Sequence, residues 1–341
     1  MSTKSIQKNI DYQRIIIQEN LQYFKSNNTK NQKTFAEEIA LSLKHVPRSI
    51  SPKYFYDNLG SELFDKICKL PEYYPYNCES LILKKMAKNL TWHLTSNVRL
   101  VELGSGSSTK TRLLIDALLK NQEYIEYFPI DISDVLIDSA KKICNDYKTL
   151  KVTGIIDTYE NGLDFIEHYD DKPNLITFLG SSFGNFNKED GNNFLKRTHD
   201  LMKSSDYFLL GLDLKKDSAI LTNAYNDSKG LTAKFNLNIL ERINRELDAD
   251  FEVSQFAHMA YYNEPKGRIE MYLRSLSDQT VTISKANISI QLAENELIHT
   301  ENSHKFTMSQ IDSMFGEVGL DIVQTWFDTK KYFGLILAKK S

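Results

Sequence analysis

The 341-residue chain is expected to fold as an α/β protein, with a doubly wound, mostly parallel sheet and a second, α+β lobe. Three observations carry that expectation. Short apolar runs alternate with helix-length stretches through the middle of the chain. The first of those runs ends in a glycine-rich turn that opens a helix. Two adjacent strand-like runs close the C-terminus, as an antiparallel edge hairpin would.

In chain order, residues 1 to about 75 are polar and mostly helical in pattern, ending in the aromatic clusters Lys53-Tyr-Phe-Tyr56 and Glu72-Tyr-Tyr-Pro75. Val98 to Leu103 is the first apolar strand, followed by a helix from Thr109 to Leu119. Strands are expected at Tyr124–Ile130, Val152–Ile156, Asn174–Leu179 and Tyr207–Leu212, with helices between them. Residues 217 to about 245 read as helix. Ile269–Leu276, Thr280–Ile283 and Asn287–Leu292 read as consecutive antiparallel strands joined by short polar turns. A helix at Ser309–Val318 and strands at Asp321–Trp326 and Tyr332–Leu337 complete the chain. The expected division is a core of residues 76–215 and 305–341, with a second lobe made from residues 1–75 and 216–304.

Composition narrows the class. Hydrophobic residues are 41% and charged residues 26%, the profile of a soluble globular protein, and a net charge of -3 gives no general attraction to nucleic acid. No polybasic run marks a membrane surface, and no apolar stretch approaches the ~20 residues needed to span a bilayer. The N-terminus lacks the apolar core of a signal peptide. Cys68, Cys78 and Cys144 are an odd number without metal-ligand spacing and read as reduced thiols. A cytoplasmic monomer acting on a small molecule, without a nucleic-acid or membrane partner, is the expectation.

Glu102-Leu-Gly104-Ser105-Gly106-Ser-Ser-Thr-Lys110 stands between the first strand and its helix. A dinucleotide loop would want a third glycine where Thr109 stands, and a phosphate-binding P-loop would want glycine there too. An acid at the strand end followed by Gly-x-Gly suits S-adenosylmethionine. A carboxylate repels a pyrophosphate but attracts a ligand carrying an ammonium and a sulfonium. Asp131, ending the next strand, is placed to accept hydrogen bonds from ribose hydroxyls, although it would equally cap the following helix. Asp157, after the third strand, is the candidate for the adenine amino group, with a solvated turn residue as the plain alternative.

Phe178-Leu-Gly180-Ser-Ser-Phe-Gly184-Asn185-Phe186 lies at the carboxyl edge of the sheet, where such folds place ligands. An amide beside an aromatic ring can accept a hydrogen bond from a substrate amine and aim its lone pair. Gly-Ser-Ser-Phe-Gly also echoes a hydrolase nucleophile elbow, but that reading leaves the Glu102 loop unexplained. The seven histidines show no metal-binding spacing, so no metal is expected.

With these residues in view, the chain resembles the histidine Nα-methyltransferases of ergothioneine biosynthesis, a family that includes fungal tryptophan-derivative N-methyltransferases. The resemblance rests on Val101 to Arg112, Phe178 to Asn185, Gly230-Leu-Thr-Ala-Lys-Phe-Asn-Leu-Asn238 and Asn244-Arg-Glu-Leu-Asp-Ala-Asp-Phe251, and runs from about Ser51 to the C-terminus. It implies a Rossmann-like class I methyltransferase core, S-adenosylmethionine as cofactor, and L-histidine trimethylated at the α-nitrogen to hercynine. By the same resemblance, Tyr56 and Asn185 would hold the α-amino group, and Tyr73 and Tyr225 the amino-acid backbone with its carboxylate. Glu301 and Ser303 would bind the imidazole, with Met271 lining that pocket. Glycines 104 and 106, with Glu102, Ser105, Lys110, Asp131 and Asp157, would bind the cofactor. Glu301 and Ser303 are two apart, so in an extended chain they point the same way. Together they can serve both nitrogens of an imidazole, whereas an indole offers no acceptor.

Overall fold

The structure is a computed structural model that describes residues 12–27, 33–106 and 109–341. Its strands are β1 Tyr12–Gln18, β2 Leu21–Ser26, β3 Arg48–Ser49, β4 Arg99–Leu103, β5 Ile125–Asp131, β6 Leu150–Ile156, β7 Asn174–Phe178, β8 Tyr207–Asp213, β9 Phe256–Asn263, β10 Arg268–Ser275, β11 Gln279–Ile283, β12 Ile288–Leu292, β13 Leu297–His304, β14 Leu320–Phe327 and β15 Phe333–Lys340. Its helices are α1 Phe35–Lys44, α2 Asn58–Ile67, α3 Tyr74–Met86, α4 Thr109–Leu118, α5 Val135–Asp146, α6 Tyr159–Tyr169, α7 Lys188–Leu201, α8 Ser218–Asn223, α9 Leu231–Leu247 and α10 Met308–Val318.

The main sheet has nine strands in the order β1-β2-β6-β5-β4-β7-β8-β15-β14. From β2 to β8 every neighbouring pair is parallel, and β15 enters antiparallel between β8 and β14. β4 and β7, adjacent at the centre, are buried along their whole length, which is why both read as short, largely apolar runs in the sequence. The order reverses at β4, so the loops after β4 and β7 diverge there and leave a crevice for a ligand. Separate apolar clusters cover the two faces. One includes Ile82, Leu114 and Leu209, the other Val101, Phe194 and Ile311.

The N-terminal strands depart from the sequence reading. Residues 12–26 form a hairpin that extends the main sheet beside β6, not a helical part of the second lobe. Tyr12-Gln-Arg-Ile-Ile-Ile-Gln18 has neither clean alternation nor helical spacing, so only the free edge of β6 decides its state. Residues 1–11 of the expected lobe lie outside the described residues.

A third apolar cluster joins Ile39, Phe55 and Tyr74 from the N-terminal part to Phe235, Ile269 and Ile298 from the 216–304 insertion. The link is also made by backbone, since β3 pairs parallel with β13 in a sheet of order β3-β13-β10-β9. β9 was not expected, and the predicted meander differs accordingly. β10 pairs with β9 and β13, while β11 and β12 form their own two-stranded ribbon. No helix among the described residues is long and apolar enough to cross a membrane.

Candidate active site

Local chemistry places each part of the cofactor crevice. Gly104 has φ of +72° and Gly106 +47°, a region that side chains with a Cβ enter at a cost. At Gly106 a Cβ would meet nothing within 4 Å, whereas at Gly104 it would sit 2.9 Å from the Tyr159 hydroxyl. The loop is therefore pressed against α6 on one side and open on the other. Ser105 is buried, and its Oγ has no hydrogen-bond partner among the described residues. An orphaned hydroxyl beside an open glycine surface is a cradle for a polar ligand, and it fits S-adenosylmethionine. Ser107 and Ser108, part of the same motif, lie outside the described residues.

Glu102 is engaged within the protein. Its carboxylate accepts from Thr111 Oγ1 at 2.7 Å and from Tyr127 Oη at 2.5 Å. Burial pushes its pKa up to about 7, against the lowering effect of those two hydroxyls. Lys110 pairs with the fully buried Glu79 of α3, whose carboxylate also accepts the Gly180 N–H at 2.9 Å. Lys110 thus ties the β4 loop to the β7 loop. Asp131 accepts the Ser133 N–H at 3.0 Å, and burial raises its pKa. Asp157 accepts the Thr158 N–H at 2.7 Å, Asn161 Nδ2 at 2.9 Å and the Tyr12 hydroxyl at 2.9 Å. Tyr12 comes from β1 of the N-terminal hairpin.

A Gly104→Ala enzyme is expected to lose at least ~10-fold in cofactor affinity, about 1.4 kcal/mol, because the methyl strains the turn and collides with Tyr159. Isothermal titration with S-adenosylhomocysteine measures this directly.

The other half of the site is aromatic. Ring centroids step from Tyr56 to Phe64 at 5.6 Å, from Phe64 to Tyr73 at 6.0 Å and from Tyr73 to Tyr225 at 6.1 Å. Asp57 fixes the start of this wall. It caps α2 through the Gly60 N–H at 2.7 Å and is held from α9 by Asn238 at 2.9 Å and Arg245 at 2.5 Å. Tyr56 is 39% exposed although it packs on Phe64 and Phe235, so its ring borders an open hollow.

Glu301 and Ser303 sit two apart on β13, opposite Met271 and Ile269 of β10. Met271 is buried against them. Asn302 faces the other way, accepting from His299 Nε2 at 2.9 Å. The turn bearing Asn185 rests on the same strand. Gly184 lies so close that a Cβ there would stand 3.0 Å from the His304 carbonyl oxygen, and His304 Nδ1 donates to the Gly184 carbonyl at 3.0 Å.

Burial raises the phenols of Tyr73 and Tyr225, and the negative charge of Glu301 adds to the rise in each. Tyr56, Tyr73 and Tyr225 follow one another along the aromatic wall, and Tyr225 reaches β13 through Ser303 Oγ at 2.8 Å. Burial also lifts Glu301 itself to about 7, with Lys305 drawing it down. Glu301, Asn185, Tyr56 and Tyr73 make no side-chain hydrogen bond to any other described residue, so their polar ends are available to a ligand.

Behind Tyr225 and Ser303 lies a buried cluster that no sequence motif announced. Asp213, at the end of β8, pairs with Lys305 at 2.8 Å and Lys216 at 2.5 Å and accepts the Tyr74 hydroxyl at 2.7 Å. Burial alone would raise Asp213, but the two ammonium groups outweigh it and its pKa is lowered. Burial brings Lys216 down to about 8, while the Asp213 charge overcomes burial at Lys305 and raises it. An acid at the carboxyl end of the fifth core strand was visible in the sequence as Leu212-Asp213. Its two lysine partners were not.

A reversed C-terminal hairpin on a doubly wound sheet, with a Gly-x-Gly loop after the first core strand, defines a class I S-adenosylmethionine-dependent methyltransferase. The profile of the family described as "Histidine-specific methyltransferase, SAM-dependent" matches residues 35–340, and the chain belongs to that family. It is 38% identical to the histidine N-alpha-methyltransferase of Mycobacterium tuberculosis over 308 residues, 89% of this chain and 94% of that one. Ergothioneine biosynthesis protein 1 of Neurospora crassa is 31% identical over 87% of this chain and 34% of its own greater length. The L-tryptophan methyltransferase trpM of Psilocybe serbica is 27% identical over 85% of this chain and 87% of that one.

Proposed function

We propose that this enzyme converts L-histidine to Nα,Nα,Nα-trimethyl-L-histidine (hercynine), and that the unit built from residues 35–75 and 216–304 supplies the amino-acid site. The observation that carries this reading is Glu301 beside Ser303 on one face of β13. A half-buried carboxylate with no hydrogen-bond partner among the described residues is satisfied by a hydrogen-bond donor from its ligand. The imidazole supplies that N–H together with an acceptor nitrogen for Ser303, and an indole supplies only the first.

When bound, S-adenosylmethionine supplies an electrophilic methyl on sulfonium, and the chain's own residues do the rest. The orphaned Ser105 hydroxyl, the open face of Gly106 and the Asp131 carboxylate would hold it. Tyr56 and Asn185 orient the α-amino group, accepting its hydrogens so that the lone pair lies along the line of displacement. The aromatic wall keeps water from the nitrogen between transfers. The side chains lining the hollow show no strong base, and the amine must arrive neutral.

The pH dependence follows. An acid whose pKa is raised to about 7 is a carboxylate only above that value, and free imidazole loses its proton near ~6.5. Both changes favour binding as pH rises, and the α-amine then deprotonates at higher pH. kcat/KM is expected to climb from pH 6 to 9, and Glu301→Gln to flatten the part of the rise contributed by Glu301. An unchanged profile in that variant would remove Glu301 from the substrate site.

Stoichiometry tests the extent of reaction. With histidine limiting, three equivalents of S-adenosylhomocysteine per histidine consumed are expected. A stop at one or two would restrict the product to a partly methylated amine.

A further inference from the structure

We propose that Lys305 fixes the polarity of Ser303, making its hydroxyl a hydrogen-bond donor only, so that the site accepts a neutral imidazole through an unprotonated ring nitrogen. This rests on the histidine reading given above. Lys305 is wholly buried and stands two residues after Ser303. Its ammonium has three protons, and all three are committed, to Asp213 at 2.8 Å, Ser303 Oγ at 2.8 Å and Tyr225 Oη at 3.2 Å. Tyr225 Oη in turn donates to Ser303 Oγ at 2.8 Å.

A serine hydroxyl has two lone pairs and one proton. Here both lone pairs are taken, one by the ammonium and one by the phenol. The direction of the Tyr225–Ser303 bond follows from acidity, since a phenol is a stronger donor and a weaker acceptor than an aliphatic hydroxyl, and the adjacent ammonium sharpens the difference. The only capacity left on Ser303 is its proton, which points away from the network. Glu301, on the same face two residues earlier, is the acceptor for the other ring nitrogen.

The pairing of one donor with one acceptor matches neutral imidazole and mismatches imidazolium, which presents two N–H groups. Lys305 is therefore a positioning residue that acts through Ser303 and does not touch the reacting nitrogen.

The test is nitrogen-15 NMR of ring-labelled histidine bound to the wild-type enzyme with S-adenosylhomocysteine at pH 6 and 7.5. One protonated and one unprotonated ring nitrogen are expected at both values, and Ser303→Ala should move the signal of the unprotonated one. Two protonated nitrogens would overturn the proposal, as would a protonated nitrogen being the one that responds to Ser303→Ala. No bound signal at all would sink the histidine reading and the proposal with it. Lys305→Met provides a second arm. It should raise KM for histidine roughly 10-fold with kcat nearly kept, and add little further in a Ser303→Ala background. Fully additive effects of the two substitutions would show that Lys305 does not work through Ser303.

Discussion

Glu301→Ala is expected to raise KM for histidine roughly 100-fold, about 2.7 kcal/mol, while the affinity for S-adenosylhomocysteine stays within a factor of ~2. The asymmetry comes from the architecture. Glu301 belongs to β13, in the sheet built with β3, β9 and β10, whereas the residues facing the cofactor crevice lie on loops after β4, β5 and β6 of the main sheet. Removing the carboxylate leaves the imidazole N–H without its acceptor, and the neighbouring Ser303 cannot replace it. Ser303 is held by Tyr225 and Lys305. Steady-state kinetics with titration calorimetry on the same preparation separates the two effects. Equal losses for histidine and cofactor would mean that the substitution disturbs the whole crevice and that Glu301 does not contact the substrate side chain.

Asp213→Ala should destabilise the fold by about 3–5 kcal/mol and lower Tm by ~10 °C. The substitution strands Lys305 and Lys216 in the interior, where their side chains are 0% and 4% exposed. Because the folded pKa of Asp213 is depressed, its contribution is complete above the unfolded carboxylate range and fades as pH falls through the folded value. The deficit should therefore be full at pH 7. A control is Asp200→Ala, which breaks a pair with Lys196 whose side chains are 45% and 70% exposed. That change should cost under ~1 kcal/mol. Similar melting shifts for the two variants would contradict the buried network. Thermal unfolding followed by circular dichroism measures both.

Much of the core was legible from the chain because its strands are buried on both faces and therefore read as short, largely apolar runs. Arg99–Leu103, Asn174–Phe178 and Tyr207–Asp213 are of this kind, and all three appear where expected. In the reversed C-terminal pair β15 was legible for the same reason, while β14 is only partly buried. The β1–β2 hairpin and β9 were not. Tyr12–Gln18 is an exposed edge, and Phe256–Asn263 mixes His258 and two tyrosines into a half-buried strand, so neither has a clear period of its own.

The site was legible where spacing alone carries meaning. Gly104 and Gly106 declare themselves by the turn they must make, whereas Glu301 and Ser303 stand out only through the family resemblance, since their two-residue interval reads equally as an exposed strand end. What sequence could not show is which acids are spent inside the protein. Glu102 is occupied by Thr111 and Tyr127, and Asp157 by Thr158, Asn161 and Tyr12, partners up to 145 positions away. The Asp213–Lys305–Lys216 cluster is likewise a product of three-dimensional closure, since Lys305 meets Asp213 only when β13 returns to the end of β8.

The most direct measurement is mass spectrometry of the purified enzyme incubated with S-adenosylmethionine and an equimolar mixture of the twenty amino acids. The account predicts that histidine alone gains the mass of three methyl groups. Methylation of tryptophan or another amino acid in preference to histidine would contradict it, leaving the cofactor crevice standing and removing the Glu301–Ser303 argument for the substrate.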